Sequence, residues 1–275
     1  MIDDFLTGDL SDVEEAIRKA VATEITPRFR RLADDEIDHK RGPHDLVTAA
    51  DRLAEEHLTG SLTALLPGSV VVGEESVHAD PAVYGALRGD APVWIVDPVD
   101  GTRQFVEGDP GFCTLVALAH RGELLASWTY APVPDELAFA VRGGGALLDG
   151  RPLRAGAPVP GDVVRVAMSN PDFSSPEEKR LLLGLDVPEV HAKPCGSAGL
   201  EYLRVARGEL DATVFSWDYA WDHAAGLLLV TEAGGCQRTV AGKPFDVSVD
   251  NTLPFTAARD EATARRLLAL LGAPS

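Results

Sequence analysis

Val93-Trp94-Ile95-Val96-Asp97-Pro98-Val99-Asp100-Gly101-Thr102 sets four apolar residues directly against a turn that holds two carboxylates. The apolar run predicts a buried strand ending at Asp97. Pro98 fixes its own φ and keeps Asp97 out of the helical region. Gly101 permits backbone angles that other residues resist. Two carboxylates across such a turn can converge on one centre, and Thr102 begins a segment with the character of a helix start, where backbone N–H groups can meet an anion. Hard oxygen donors beside such amides suit Mg²⁺ and phosphate. Asp, Pro and Gly also make plain polar turns, so this segment alone does not define a site.

Further acidic segments share its placement. Val70-Val71-Val72 predicts another buried strand, ending at Gly73 and followed at once by Glu74-Glu75-Ser76. Asp222 opens a predicted helix over 222–233, and Asp45 precedes one running from about Thr48 to Leu66. Singly, these acids read as a solvated loop or as N-caps. Four acidic segments at the ends of strands and helices are what a multi-metal site needs.

Elsewhere, Ser11 with Glu14 predicts a capping box for a helix over 12–32, kinked or ended near Pro27. Strands are expected over 114–119 and 124–130, joined through Arg121-Gly122, then over 137–142, with a turn at Asp149-Gly150. Strand and helix alternate after residue 160: strands over 163–168 and 212–215, helices over 175–185, 197–207 and 260–271. The change of pattern predicts two subdomains, 1–154 and 155–275.

Composition narrows the function classes. The 275 residues are 45% hydrophobic and 25% charged, an ordinary folded composition. Acidic residues number 43 against 25 basic, a net charge of -18, which disfavours nucleic-acid polymers and anionic membranes. A small anionic substrate is still compatible if metal ions lie between. Cys113, Cys195 and Cys236 form no CxxC, which argues against a disulfide framework or zinc-thiolate site and predicts a cytoplasmic setting. The N-terminus is acidic where a signal peptide is basic, and no apolar run approaches the roughly 18 residues of a membrane span.

The segments Asp45-Leu46-Val47-Thr48-Ala49-Ala50-Asp51, Gly73-Glu74-Glu75-Ser76, Asp97-Pro98-Val99-Asp100-Gly101-Thr102 and Trp221-Asp222-His223-Ala224-Ala225-Gly226 together resemble the inositol monophosphatase-like phosphatases, a lithium-sensitive family, in order and approximate spacing. The resemblance implies an α+β / α/β fold, the layered α-β-α-β-α sandwich shared with fructose-1,6-bisphosphatase. It implies Mg²⁺-dependent hydrolysis of a small phosphate monoester, with two or three ions, in a homodimer. Carried over by motif, Glu74, Asp97 and the Val99 carbonyl hold a first metal, and Asp97, Asp100 and Asp222 a second. Asp45 and Thr102, with Glu74, prepare the water, and the Gly101 and Thr102 amides hold the phosphate. Asp100, Asp222 and the loop Gly196-Ser197-Ala198 face the substrate. A divalent ion lowers the pKa of a water and stabilises a leaving oxygen.

Two positions depart from the pattern. Arg103-Gln104 stands where members often carry two small polar residues, and is closer to the pair in the branch acting on 3′-phosphoadenosine 5′-phosphate. Phe215 occupies the position of a glutamate that binds substrate hydroxyls in inositol-specific members, and its ring cannot accept a hydroxyl proton. It therefore predicts either an apolar substrate wall or a buried strand residue. Inositol monophosphate is the first substrate expected, with histidinol phosphate and 3′-phosphoadenosine 5′-phosphate as alternatives. A non-catalytic phospholigand-binding protein on the same fold is the alternative of another class.

Overall fold

The computed structural model describes residues 2–33, 36–39, 46–157, 161 and 163–272. In chain order the elements are α1 (Ile2–Thr7), α2 (Ser11–Ala20), β1 (Ile37–His39), β2 (Leu46–Thr48), α3 (Ala49–Leu65), β3 (Val70–Gly73), α4 (Glu74–Ala79), β4 (Val93–Asp100) and α5 (Thr102–Glu107). An antiparallel run follows: β5 (Cys113–His120), β6 (Glu123–Ala131), β7 (Glu136–Val141), β8 (Gly145–Leu148) and β9 (Arg151–Pro152). The remainder alternates: β10 (Val164–Met168), α6 (Pro176–Leu182), β11 (Val190–Pro194), α7 (Ala198–Ala206), β12 (Ala212–Phe215), α8 (Ala220–Glu232), β13 (Cys236–Thr239), β14 (Phe255–Ala258) and α9 (Glu261–Leu270).

Two sheets organise the chain. The first has the order β3-β4-β5-β6-β7-β8-β9, with β3 and β4 parallel and the other pairs antiparallel. The second has the order β11-β10-β12-β14-β13, parallel across its first three strands and antiparallel beyond. Side-chain alternation along β4 separates the layers. Trp94 and Val96 pack with Ile17 of α2 and Leu58 and Leu62 of α3 on one face. Val93 and Ile95 pack on the other face into a core shared with Tyr202 and Leu203 of α7, Leu227 and Leu229 of α8, and Phe215 and Phe255 of the second sheet. The far face of that sheet, through Val166 and Val214, meets Leu182 of α6 and Leu267 of α9. The order is helices, sheet, helices, sheet, helices: the five-layer α-β-α-β-α arrangement.

Local outcomes differ from expectation at a few ends. Ser11 does not cap α2 but begins it; its amide donates to Asp9 Oδ1 at 2.9 Å, and no side chain caps the helix. The helix passes into a π-helical turn, Val21–Ile25, and ends before Pro27, the earlier of the two ends the sequence offered. By contrast, Ser175 with Glu178 forms a full capping box at α6. The hairpin at Arg121-Gly122 has positive φ at both residues (52° and 77°), as a tight turn matching strand twist requires.

Candidate active site

Strand β4 does not end at Asp97; it continues to Asp100 through a bulge. Asp97 faces Leu115 of β5, but Asp100 faces Cys113, so three steps on β4 match two on its partner. In a regular strand, residues three apart point to opposite faces. The extra residue cancels that alternation and brings Asp97 and Asp100 to one side. Pro98 fits the irregular stretch because it has no N–H to offer a ladder, and its carbonyl accepts from Thr114 Oγ1 at 2.7 Å. The Val99 amide donates to Asp97 Oδ1 at 3.0 Å, fixing that carboxylate against its own turn. Gly101 sits at φ +93°, and a Cβ there would lie 2.9 Å from the Gly111 carbonyl, so both conformation and space call for glycine.

Glu74 arrives from the neighbouring strand. Gly73 of β3 pairs with Val96 of β4, which sets Glu74, the first residue of α4, beside Asp97. The buried carboxylate of Glu55, from α3, holds the start of α4 by accepting from the Glu75 amide at 2.8 Å and the Ser76 amide at 2.7 Å. A Cβ on Gly73 would fall 2.2 Å from that carboxyl carbon, so glycine makes room for the clamp.

Asp222 lies in the first turn of α8, inside the helix and not at its cap, which is Tyr219. Its Oδ2 accepts from Trp217 Nε1 at 2.6 Å. Asp97, Asp100 and Asp222 each present a carboxylate oxygen within 4.8 Å of the others. Burial pushes the Asp97 carboxyl well above the usual aspartate range, and the charges of Glu74, Asp100, Asp222 and Asp51 push it further. Asp222 is raised likewise by burial and then by Glu74 and Asp100. Such crowding is costly without a cation, and an all-oxygen donor set suits a hard divalent ion. The residues present therefore fit the metal implied by the motifs.

The loop Gly196-Ser197-Ala198 divides between two tasks. Gly196 lines the cleft, but Ser197 and Ala198 are buried beneath it and hold Asp100. Ser197 Oγ donates to Asp100 Oδ2 at 2.6 Å, the Gly199 amide donates to the same oxygen at 2.7 Å, and the Ala198 amide donates to Oδ1 at 3.1 Å. The expectation that Ser197 and Ala198 face the substrate is corrected: the amides opening α7 are spent on a carboxylate of the chain itself. These bonds lower the Asp100 pKa, though burial outweighs them and the net shift is upward.

Thr102 Oγ1 stands 3.4 Å from Asp51 Oδ1 and 3.0 Å from the Val99 carbonyl. Asp51 is buried in the first turn of α3, where its Oδ2 accepts from Thr48 N at 2.8 Å and Thr48 Oγ1 at 2.6 Å. Asp45, the carboxylate expected beside Thr102, lies outside the described residues. Asp51, six residues on in the same motif, is the one that meets the threonine. Thr48 followed by an acid three positions later is a capping signal that could have singled it out.

Asp97, Asp100, Gly101, Thr102, Gly196 and Asp222 line a cleft of about 140 Å³ with Leu46, Glu74, Arg103, Gln104, Asn170 and Phe173 among its walls. Sequence reasoning did not reach Asn170 or Phe173, which follow β10 and enter only through the meeting of the two sheets. Phe215 is not a wall. It is fully buried at the end of β12, with its ring centroid 4.4 Å from Trp217 and 5.6 Å from both Tyr202 and His223. It points into the core shared by the two sheets, while Ala212 and Val214 of the same strand pack on the opposite face. His223 is equally buried, which pulls its pKa down to about 3, and its ring nitrogens pair with Tyr202 Oη and the Trp217 carbonyl. It packs as a neutral ring.

The chain is similar to known proteins over most of its length. The model of the inositol monophosphatase family matches residues 9–271. The inositol-1-monophosphatase of Rhizobium meliloti (strain 1021) is 37% identical over 214 residues, covering 75% of this chain and 77% of that protein. Inositol monophosphatase 1 of Sus scrofa is 33% identical over 215 residues, 76% of each. Among solved structures, the extragenic suppressor protein suhB of Bartonella henselae superposes with a TM-score of 0.79 at 28% identity, covering 95% of this chain and 97% of that one.

Proposed function

The chain belongs to the inositol monophosphatase family, and we propose that it is a Mg²⁺-dependent phosphoric monoester hydrolase acting on small phosphorylated alcohols, inositol monophosphate among them. The observation that carries the reading is the convergence of Asp97, Asp100 and Asp222 within 4.8 Å, beside the Thr102–Asp51 pair. Asp97, Asp100 and Asp222 would hold one ion, and Glu74, Asp97 and the Val99 carbonyl another. When bound, such ions supply a water of lowered pKa and positive charge for the leaving oxygen.

The chain's own groups complete the proton path. Asp51 Oδ2 is occupied by Thr48, which leaves Oδ1 for Thr102. As water attacks phosphorus, its proton passes to Thr102 Oγ1 while the threonine proton passes to Asp51 Oδ1. The bond between phosphorus and the ester oxygen breaks, the departing alkoxide takes a proton from solvent water to leave as the alcohol, and Asp51 returns its proton to solvent. Gly101 and Thr102, both on the cleft, present the amides that orient the phosphate. The reading extends to a cytoplasmic homodimer; its three free cysteines accord with a reducing compartment. No helix among the described residues is long and apolar enough to cross a membrane.

The test is phosphate release from a panel of sugar, nucleotide and amino-alcohol phosphates with Mg²⁺ and after full chelation. Release that persists without divalent metal sinks the mechanism.

A further inference from the structure

We propose that Trp217 is a positioning residue for the metal centre: its indole N–H holds Oδ2 of Asp222, so that this carboxylate offers an ion Oδ1 alone and in one orientation. The proposal rests on the metal-dependent reading above, and Trp217 acts only through Asp222. The residue stands in the loop between β12 and α8, five positions before the acid. Its Nε1 donates to Asp222 Oδ2 at 2.6 Å, short for an N–H donor. An indole has one N–H and no acceptor, so it can pair only with an oxygen that has a lone pair to give.

The main chain around Asp222 is fixed independently of that bond. On one side of Trp217, the Ser216 amide donates to Ser169 Oγ at 2.9 Å. On the other, Asp218 Oδ2 accepts from the Asn251 amide at 3.1 Å, and the Ala220 amide donates to Tyr84 Oη at 3.1 Å. Trp221 packs edge-on against Tyr84 and flat against Tyr219, with ring centroids 5.9 Å and 4.8 Å apart. The first turn of α8 therefore keeps its place without the indole N–H. What the indole adds is the orientation of one carboxylate.

The indole is itself held still. Its ring centroid lies 4.4 Å from Phe215 and 5.2 Å from His223. The Trp217 carbonyl can only accept, so His223 Nε2 carries the hydrogen of the 3.0 Å bond between them, and His223 Nδ1 accepts from Tyr202 Oη at 2.9 Å. Carboxylates that bind metals are oriented by hydrogen bonds of their own. Asp97 has the Val99 amide, and Asp100 has Ser197 Oγ with the Ala198 and Gly199 amides. Trp217 fills the same place for the third acid of the cluster. Backbone amides support the other two, whereas this support is one side chain and can be removed by one substitution.

The experiment titrates Mg²⁺ alone, by calorimetry, into the wild type and Trp217→Phe, which keeps a ring against Phe215 but loses the N–H; thermal melts in chelator confirm folding. Affinity is expected to fall about tenfold to a hundredfold in the variant, as it does when a metal ligand loses its hydrogen-bond partner. Turnover lost at low Mg²⁺ should return at saturating Mg²⁺ with the substrate KM unchanged, a rescue that a merely structural residue would not show. The wild type gives a second reading that needs no variant. The Trp217 indole N–H resonance, assigned through its contacts with the Phe215 and His223 rings, should shift as Mg²⁺ is added and stop at saturation. Equal Mg²⁺ affinity in folded Trp217→Phe, or an indole resonance unmoved by saturating Mg²⁺, overturns the positioning role while the phosphatase reading stands. A wild type that binds no Mg²⁺ overturns that reading, and the positioning role with it.

Discussion

Thr102 Oγ1 and Asp51 Oδ1 face each other at 3.4 Å across the junction of α5 and α3, and Thr48 occupies the other carboxylate oxygen. On the proposed mechanism, this pairing makes Asp51 the proton acceptor. Asp51→Asn is expected to lower kcat by about 10²–10⁴-fold, the usual scale for losing a general base, with KM changed far less. The variant also weakens the capping box of α3 and should lose about 0.5–2 kcal/mol of stability. Steady-state kinetics and a denaturant melt read both effects. Near-normal kcat in Asp51→Asn, with kcat lost in Asp45→Asn, would return the role to Asp45.

Glu55 never reaches the cleft lining, yet both its oxygens hold the amides that follow Glu74. An amide side chain supplies one acceptor and sets an N–H₂ against the other donor. Glu55→Gln should therefore weaken Mg²⁺ binding by about tenfold, at the low end for groups supporting a metal ligand. Direct Mg²⁺ titration by calorimetry measures this without turnover. Unchanged Mg²⁺ affinity in the folded variant would make Glu55 a stabilising cap and nothing more.

The carboxylate cluster also sets a pH dependence. Asp97 and Asp222 are raised above the usual aspartate value of 3.8 by burial and mutual repulsion. A raised acid binds its proton more tightly in the folded chain than in the unfolded one. Its stabilisation is full below 3.8 and is lost as pH climbs through the raised value. In chelator, the melting temperature should carry a contribution from this cluster that falls as pH rises from the usual aspartate value of 3.8 towards the alkaline side. Mg²⁺ should raise the melting temperature most at the upper end, where the carboxylates are ionised. Asp97→Asn should flatten the chelator profile, raise apoprotein stability at neutral pH and abolish turnover. A Mg²⁺ effect of equal size at both ends of the range contradicts the assignment.

Much of this was legible in the chain because local signals and tertiary demands agreed. The β-rich runs before Gly73 and Asp97 gave the strands and the acids after them. The bulge in β4 was not legible, since a register jump exists only relative to Cys113 and Leu115 of the partner strand. Strands β11 and β13 went unseen because edge strands such as Cys236–Thr239 mix polar and apolar residues without clean alternation. Ser197 showed its helix start but not its ligand, which lies 97 residues away on β4. Asp45 and Asp51 share one motif; the capping signal from Thr48 marks Asp51 as a helix-start acid, but only the tertiary meeting with Thr102 shows what it faces.

Phe215 separates specificity from packing. Its ring is fully buried among Trp217, Tyr202, His223 and Phe255, on the side of β12 facing the shared core. Phe215→Ala should cost about 3–5 kcal/mol, the range for emptying a buried phenyl site. Phe215→Glu should cost more, because it buries a carboxylate where the surrounding rings offer little to pair it. Neither change should redirect the enzyme towards inositol phosphate. Urea melts with parallel substrate ranking test the point. A Phe215→Glu variant as stable as the wild type, with inositol 1-phosphate newly preferred, would place residue 215 on the cleft after all. A destabilised Phe215→Leu that keeps the wild-type ranking would fix it in the core, where only shape and volume matter.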